Sequence, residues 1–382
     1  MFQCFKWDIQ SDDHCVLAKY PLMIRREQWN LLCGLAEGLY AETILAEREL
    51  IAHPELHPCL SIPKKIRKLL VRHDRAPVES LRVMRFDFHL TDEGWRISEV
   101  NADVPGGYIE ASGVTELMSE HYPECAIAGS PAASLSDSLD AAFGRDATIA
   151  MVHATVYFDD HQVMRFLGKH LEERGLRPVF VSPHQLRWRN GRAGLCRSFG
   201  GKPIDAIVRF YPSEWLPELN SVCAWDMFFR NSLTPISNPA TGILIQSKRF
   251  PLVWNSLRTE MKLWRSLLPE TRAVEEVGNM EEWVIKPVFG RVGEDIAISG
   301  CTLRPRMREI LRSAKRTPSQ WVAQRRFRAL PLAADDCEVY PTVGVFVMNG
   351  NVAGAYGRIA RKPLIDNEAQ DIAILITPGD RM

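Results

Sequence analysis

Neither sign of charge is in excess in this 382-residue chain, where 47 Lys and Arg face 47 Asp and Glu for a formal net charge of zero. Binding to a polyanion rests on a clustered cationic surplus that neutralises phosphates, so nucleic acid is not an expected partner. The apolar stretches, such as TIAMVHATVYF from Thr148, fall well short of the roughly 20 residues that cross a bilayer. The start, MFQCFKWDIQSDDH, lacks the basic and then apolar segments of a secretory signal, which points to a cytoplasmic protein without a membrane partner. The 9 cysteines include no CxxC pair, and an odd number cannot close into a full disulfide set, so reduced thiols are expected. His53-Pro-Glu-Leu-His57-Pro-Cys59 has a spacing open to a metal reading, but its two prolines favour a loop after a helix. GxGxxG, internal repeats and low-complexity linkers are missing as well.

What is present is ample material for a core. With 46% hydrophobic residues and roughly 150 residues per domain, two or three packed units are expected. Helical spacing of apolar residues runs from Arg25 to about Ala52, and KKIRKLLVRHDR (64–75) reads as a second helix with a solvated basic face. Residues 81–101 read as two strands around the turn Thr-Asp-Glu-Gly, with VPGG at 104–107 ending the pair before a helix. From 147 to 235 the order strand, helix, strand predicts a small Rossmann-like α/β unit, with a hairpin over WRNGRAG. Beyond 239 come a helical stretch over KRFPLVWNSLRTEMKLWRSLL and the strand EEWVIKPV. A glycine-bearing loop (FGRVGEDI), a helix near Met307 to Ala314 and two further strand regions follow, with Asn-Gly-Asn at 349–351 signalling a hairpin. The expected division is 1–146, 147–235 and 236–382 within an α/β (α+β) class.

Two polar constellations stand out. Arg85-Phe-Asp87 and Glu99-Val-Asn101 occupy the paired strands, and residues two apart in a strand share a face. A three-residue loop with Gly94 in the left-handed position pairs Thr91 with Trp95, and then sets Asp87 opposite Glu99 and Arg85 opposite Asn101. Facing carboxylates repel unless a proton or a cation intervenes, and an all-oxygen set of Asp, Glu and Asn suits Mg²⁺ shared with phosphates and water. Arg85 would then neutralise charge on a transferred phosphoryl group. The alternative is a solvent-facing hairpin carrying an Arg–Asp pair.

The second constellation is Lys286 at the end of an apolar strand, with Gly290 and Gly293 soon after. An ammonium beside a flexible backbone loop can close on phosphate oxygens, although turn glycines beside a surface Lys fit the same pattern. Lys248 and Arg358 add cations that, taken singly, read as solvated side chains. Gln324 could hydrogen-bond an adenine edge or be an exposed strand amide.

Together these pieces resemble the glutathionylspermidine synthase family of ATP-grasp ligases. The matching stretches are MRFDFHLTDEGWRISEVNADVPGGYIEA, QSKRFPLVW, WVIKPVFGRVGEDI and YPTVGVFVMNGNVAGAYGRI, in the family's order. The resemblance implies a permuted ATP-grasp fold, with the Rossmann-like unit as a pre-ATP-grasp domain and residues 236–382 as the nucleotide-binding region. By the same resemblance Asp87, Glu99 and Asn101 look like magnesium ligands, with Arg85 beside the transferred phosphate. Lys248 and Lys286 look like the nucleotide-phosphate lysines, with Gly290 and Gly293 in the loop over them. Gln324 falls in the adenine segment, and Arg358 looks like the C-terminal phosphate arginine.

The implied reaction is ATP- and Mg²⁺-dependent amide formation through an acyl phosphate, joining a peptide or glutathione carboxylate to an amine. The family's amidase domain has no counterpart here, so amidase activity is not expected; oligomeric state stays open. Two other readings remain. One is a catalytically idle relative that binds nucleotide or peptide as an interaction module. The other is a metal-dependent phosphohydrolase using the Asp87 and Glu99 pair, although two-metal hydrolases usually gather several His and Asp ligands and His89, the one His nearby, forms an Asp-x-His pair that is more often incidental.

Overall fold

The computed structural model describes residues 4–7, 10–11, 14–71, 81–229, 232–291, 293, 295–334 and 337–379. The protein is a mixed α/β fold with several sheets. Its largest sheet has six strands, all paired antiparallel: Gln370–Ile372, Asn351–Ala360, Cys337–Met348, Val83–Thr91 and Gly94–Asn101 in spatial order, with Leu332–Ala334 added beside Cys337–Met348. The polar hairpin therefore joins strands more than two hundred residues further along the chain.

Alternation decides the faces of this sheet. Met84, Phe86 and Phe88, together with Val343, Val345 and Val347, are buried in one core with Leu32, Leu39 and Leu50 of the long helix Arg26–Ala52. The alternate residues Arg85 and Asp87 turn to the opposite face, where Gly344 pairs with Asp87. On that same face Val83, Phe346 and Met348 belong to a second core.

The α/β unit forms as the sequence predicts. Thr148–His153, helix Phe158–Glu173 and Arg177–Val181 make a parallel pair, and the sheet order is Ile236–Ser237, Ala206–Phe210, Thr148–His153, Arg177–Val181, all parallel. Strand Ile236–Ser237 shows that this sheet extends past residue 235. A third sheet places Trp321–Arg325 between Thr271–Arg272 and Trp283–Pro287, and packs against helix Arg304–Arg316. The Asn349-Gly350 hairpin is present as expected, with Met348 paired to Asn351.

One local expectation is corrected. The stretch from Lys248 is not one helix: a 3₁₀ segment, Phe250–Ser256, precedes a short helix, Lys262–Leu267. Tertiary hydrogen bonds outweigh its helical periodicity. Glu49 accepts from the Arg258 and Thr259 amides at 2.6 and 2.7 Å, and Glu42 accepts from the Leu263 amide at 2.9 Å, so the long helix pins the segment in two pieces. The basic helix covers Lys64–Leu70, and residues 72–75 of its expected span lie outside the described residues. His57 takes a structural part: it is buried, and its Nε2 donates to the Leu50 carbonyl at 2.7 Å, near the end of the long helix.

The hairpin turn also differs. Thr91 pairs with Gly94 rather than Trp95, leaving a two-residue loop with Gly94 at φ +88°. The ladder then shifts by one residue between Phe88 and Asp87, and this bulge restores Asp87 opposite Glu99 and Arg85 opposite Asn101. Two departures cancel, and the expected facing pairs stand.

Candidate functional site

A cavity of about 1640 Å³ opens between these sheets. All ten residues singled out from the sequence line it: Arg85, Asp87, Glu99, Asn101, Lys248, Lys286, Gly290, Gly293, Gln324 and Arg358. They come from the hairpin, from the turn before the 3₁₀ segment Phe250–Ser256, from the strand and loop near 286–293, and from strands Trp321–Arg325 and Asn351–Ala360, and the fold brings them together.

Ion pairs organise the hairpin wall. Arg85 grips Asp87 with two hydrogen bonds, Nε to Oδ1 at 2.7 Å and Nη2 to Oδ2 at 2.9 Å, and its Nη1 donates to the Gly106 carbonyl at 2.6 Å. The guanidinium lies 4.8 Å from the centre of the Tyr356 ring, a cation–π arrangement. Asn101 Nδ2 donates to Asp87 Oδ2 at 3.0 Å. Burial pushes the Asp87 carboxyl up, against the opposing pull of Arg85.

Glu99 is paired from across the cavity. Lys248 Nζ lies 3.0 Å from Glu99 Oε2 and donates to the Gly290 carbonyl at 2.9 Å, so it ties the glycine loop to the hairpin. Burial alone would raise the Glu99 carboxyl, but Lys248 and Lys286 hold it at about 2. Lys286 donates to Gln324 Oε1 at 2.7 Å and to the Ser98 carbonyl at 3.3 Å. Burial brings its ammonium down to about 8, with Glu99 pulling the other way. Gln324 is thus a buried partner of Lys286, not an exposed amide. Arg85, Lys248 and Lys286 outnumber Asp87 and Glu99, so the inner site is left with a cationic surplus that an anion can neutralise.

The remaining predicted residues sit differently. Arg358 lines the cavity but directs Nη2 to the carbonyls of Asp366 and Ala369 at 2.9 and 3.1 Å, and its buried Nε makes no hydrogen bond. Gly293, at φ +70°, passes so close to Ile365 that a Cβ would meet its carbonyl oxygen, which explains the glycine. Val292 and Glu294 of this loop lie outside the described residues. His89 shares the cavity, held between the Ser98 hydroxyl at 3.0 Å and the Thr342 hydroxyl at 3.3 Å, and burial together with Lys286 pushes it down to about 3.

The family model that matches residues 3–377 is described as glutathionylspermidine synthase pre-ATP-grasp. The chain belongs to that family. A search of curated proteins finds no match. Among solved structures, a glutathione synthetase-like effector from Globodera pallida, determined in its apo form, superposes with a TM-score of 0.68 at 14% identity, covering 98% of this chain and 95% of its own. A putative gamma-glutamylcysteine synthetase from Methylobacillus flagellatus aligns with a TM-score of 0.48 at 12% identity over 87% of each chain. The first of these shows a shared fold.

In this member of the pre-ATP-grasp family, several contributors escape sequence reasoning. Gly344 pairs with Asp87, and a Cβ there would come within 2.8 Å of Asp87 Oδ1 and Arg85 Cδ. The absent side chain leaves the room that the ion pair occupies. Gly344→Ala should therefore cost about 1 kcal/mol of stability, since flexible side-chain ends can shift, yet displace the Arg85–Asp87 pair. Urea unfolding reads the first effect and nucleotide titration the second, expected to be tenfold or more. The sequence assigns Tyr356 no role, and only its placement across Gly344 from Asp87 puts it under Arg85. Gln246, whose side-chain oxygen accepts from the Ala102 and Asp103 amides at 2.8 and 3.1 Å, fixes the chain between Asn101 and Gly106.

Proposed function

We propose that the protein is an ATP-dependent carboxylate–amine ligase that forms an amide through an acyl phosphate, on a permuted ATP-grasp fold. In this reading residues 1–146 supply the metal-binding hairpin, 147–235 the pre-ATP-grasp unit and 236–382 the nucleotide-binding region. One observation carries it: three distant segments converge on a single cavity whose inner wall holds two opposed carboxylates under three cations. Such chemistry needs positioning and charge neutralisation rather than a protein nucleophile. Membership in a family named for a synthase supports the ligase class, and the synthetase-like description of the Globodera pallida neighbour accords with it.

The donor set fits Mg²⁺. Asp87, Glu99 and Asn101 offer oxygen only, and Asp87 and Glu99 are cross-strand neighbours. Among the described residues no group of three or more His, Cys, Asp or Glu is placed to hold a metal, so substrate phosphates and water would complete the shell. When bound, the ion would offset phosphate charge. Arg85 and Lys248 pair with the two carboxylates.

Each protein group then has a task. Lys248 and Lys286 exchange their carboxylate and amide partners for polyphosphate oxygens. Arg85, fixed by Asp87 and Gly106, faces the phosphoryl group as its charge shifts. Gly290, held by Lys248, brings the loop over the reacting atoms and keeps water from the acyl phosphate. Peptide or glutathione carboxylates and an amine are the proposed substrates, in a cytoplasmic setting.

Calorimetric titration with a non-hydrolysable ATP analogue should show binding that requires Mg²⁺. ADP release should then appear only when a matching acid and amine are both supplied from a panel of peptides and amines. Binding without ADP release across that panel would favour the idle interaction module, and phosphate release from simple phosphoesters without ATP would favour the hydrolase.

A further inference from the structure

The bulge in the hairpin does more than repair the register. Pairing runs from Thr91–Gly94 to Phe88–Ile97, then passes over Ser98, so that Asp87 meets Glu99. Side chains of successive strand residues normally point to opposite faces, but a bulge lets two neighbours share one. Ser98 and Glu99 both line the cavity.

A chain without Ser98 would keep the inner register. Ile97 would remain opposite Phe88 in the core, and Glu99, now next in line, would face the cavity opposite Asp87 in an unbroken ladder. The extra residue is therefore not needed to bring the carboxylates together. What would be lost is the Ser98 carbonyl, which accepts from Lys286 Nζ at 3.3 Å, and its hydroxyl, 3.0 Å from His89 Nε2. Lys286 belongs to the three-stranded sheet, so its bond to Ser98 crosses from that sheet to the hairpin. Lys286 is only 6% exposed, and its other hydrogen bond, to Gln324, lies within its own sheet.

We propose that Ser98 is a positioning residue: the bulge presents its main-chain carbonyl to Lys286 and so holds the ammonium above the paired carboxylates, aimed at the polyphosphate of a nucleotide. The inference rests on Lys286 binding nucleotide phosphate, as proposed above. It assigns the work to the backbone, so the side chain of Ser98 is secondary.

The test compares wild type, a Ser98 deletion and Ser98→Ala by titration with a non-hydrolysable ATP analogue plus Mg²⁺, and with adenosine, which lacks every phosphate. The deletion should weaken the analogue about tenfold, the loss of one hydrogen bond to a charged group, while adenosine affinity moves less than twofold. Ser98→Ala restores the bulge and its carbonyl, and should rescue analogue binding to within about twofold of wild type. Should the deletion fail to melt cooperatively, replacing Glu99 by its α-hydroxy acid keeps the chain length and turns the Ser98 carbonyl into a poorer ester acceptor. About a threefold weakening of the analogue is expected there. Equal analogue affinity in the deletion and wild type, or parallel loss of analogue and adenosine, overturns the proposal. A wild type that binds neither probe overturns the nucleotide reading itself and takes this inference with it, a result distinct from a binding wild type whose bulge proves dispensable.

Discussion

Lys286→Met should make the protein more stable and unable to bind nucleotide. Lys286 is buried, and burial lowers its ammonium from the usual 10.5 to about 8. The fold therefore opposes its charge at neutral pH, by an amount on the order of 1–3 kcal/mol. Methionine removes that cost while filling a similar volume, although it leaves Gln324 Oε1 without its donor. The net gain expected at pH 7 is about 1 kcal/mol, measurable by urea unfolding. Between pH 8 and 10.5 the unfolded chain holds more protons at this site than the folded one, so wild-type stability rises with pH across that window. The variant should lack this rise. Binding of the ATP analogue should fall a hundredfold or more, since a desolvated cation facing phosphate is lost. A variant that is destabilised at pH 7 and still binds the analogue would contradict both halves of this account.

Asp87→Ala should be damaging in the opposite sense. Arg85 would keep its contacts with Gly106 and Tyr356 but lose its charge partner in a site where both side chains are largely buried. Breaking a buried pair by removing one member leaves an uncompensated charge, a loss of about 3–5 kcal/mol. Mg²⁺-dependent binding of the ATP analogue should disappear as well. The double change Arg85→Met with Asp87→Leu separates the two effects: much of the stability should return, because neither residue then buries a lone charge, while nucleotide binding stays absent. Unfolding and titration of the single and double variants decide it. If the double variant binds the analogue with Mg²⁺ as the wild type does, these residues are structural.

Much of the site is legible from spacing because β-structure converts sequence distance into side of a sheet. Arg85 with Asp87, and Glu99 with Asn101, had to share faces whatever the turn. Their mutual register was less secure: the turn is one residue shorter than its composition suggests, and only the bulge at Ser98 realigns the carboxylates. Nothing in Ile-Ser-Glu marks a bulge, and the Ser98 carbonyl it exposes meets a lysine nearly two hundred residues away. Gly344 is invisible for a related reason, for a glycine within an apolar strand shows its purpose only when Asp87 lies across from it. The stretch after Lys248 misleads in the other direction, because its helical periodicity is overruled by Glu42 and Glu49 of the long helix.

The amino-acid order by itself determined the class of elements, the strand–helix–strand unit, the three hairpins and which polar side chains travel together, because these follow from local periodicity and turn chemistry. Only the tertiary structure decided that the hairpin at 83–101 is completed by strands from 337–372, that Lys248 reaches Glu99, and that Gln324 serves Lys286. Those outcomes depend on how sheets pack and on which buried charges must find partners, and both are settled between residues that no local pattern connects.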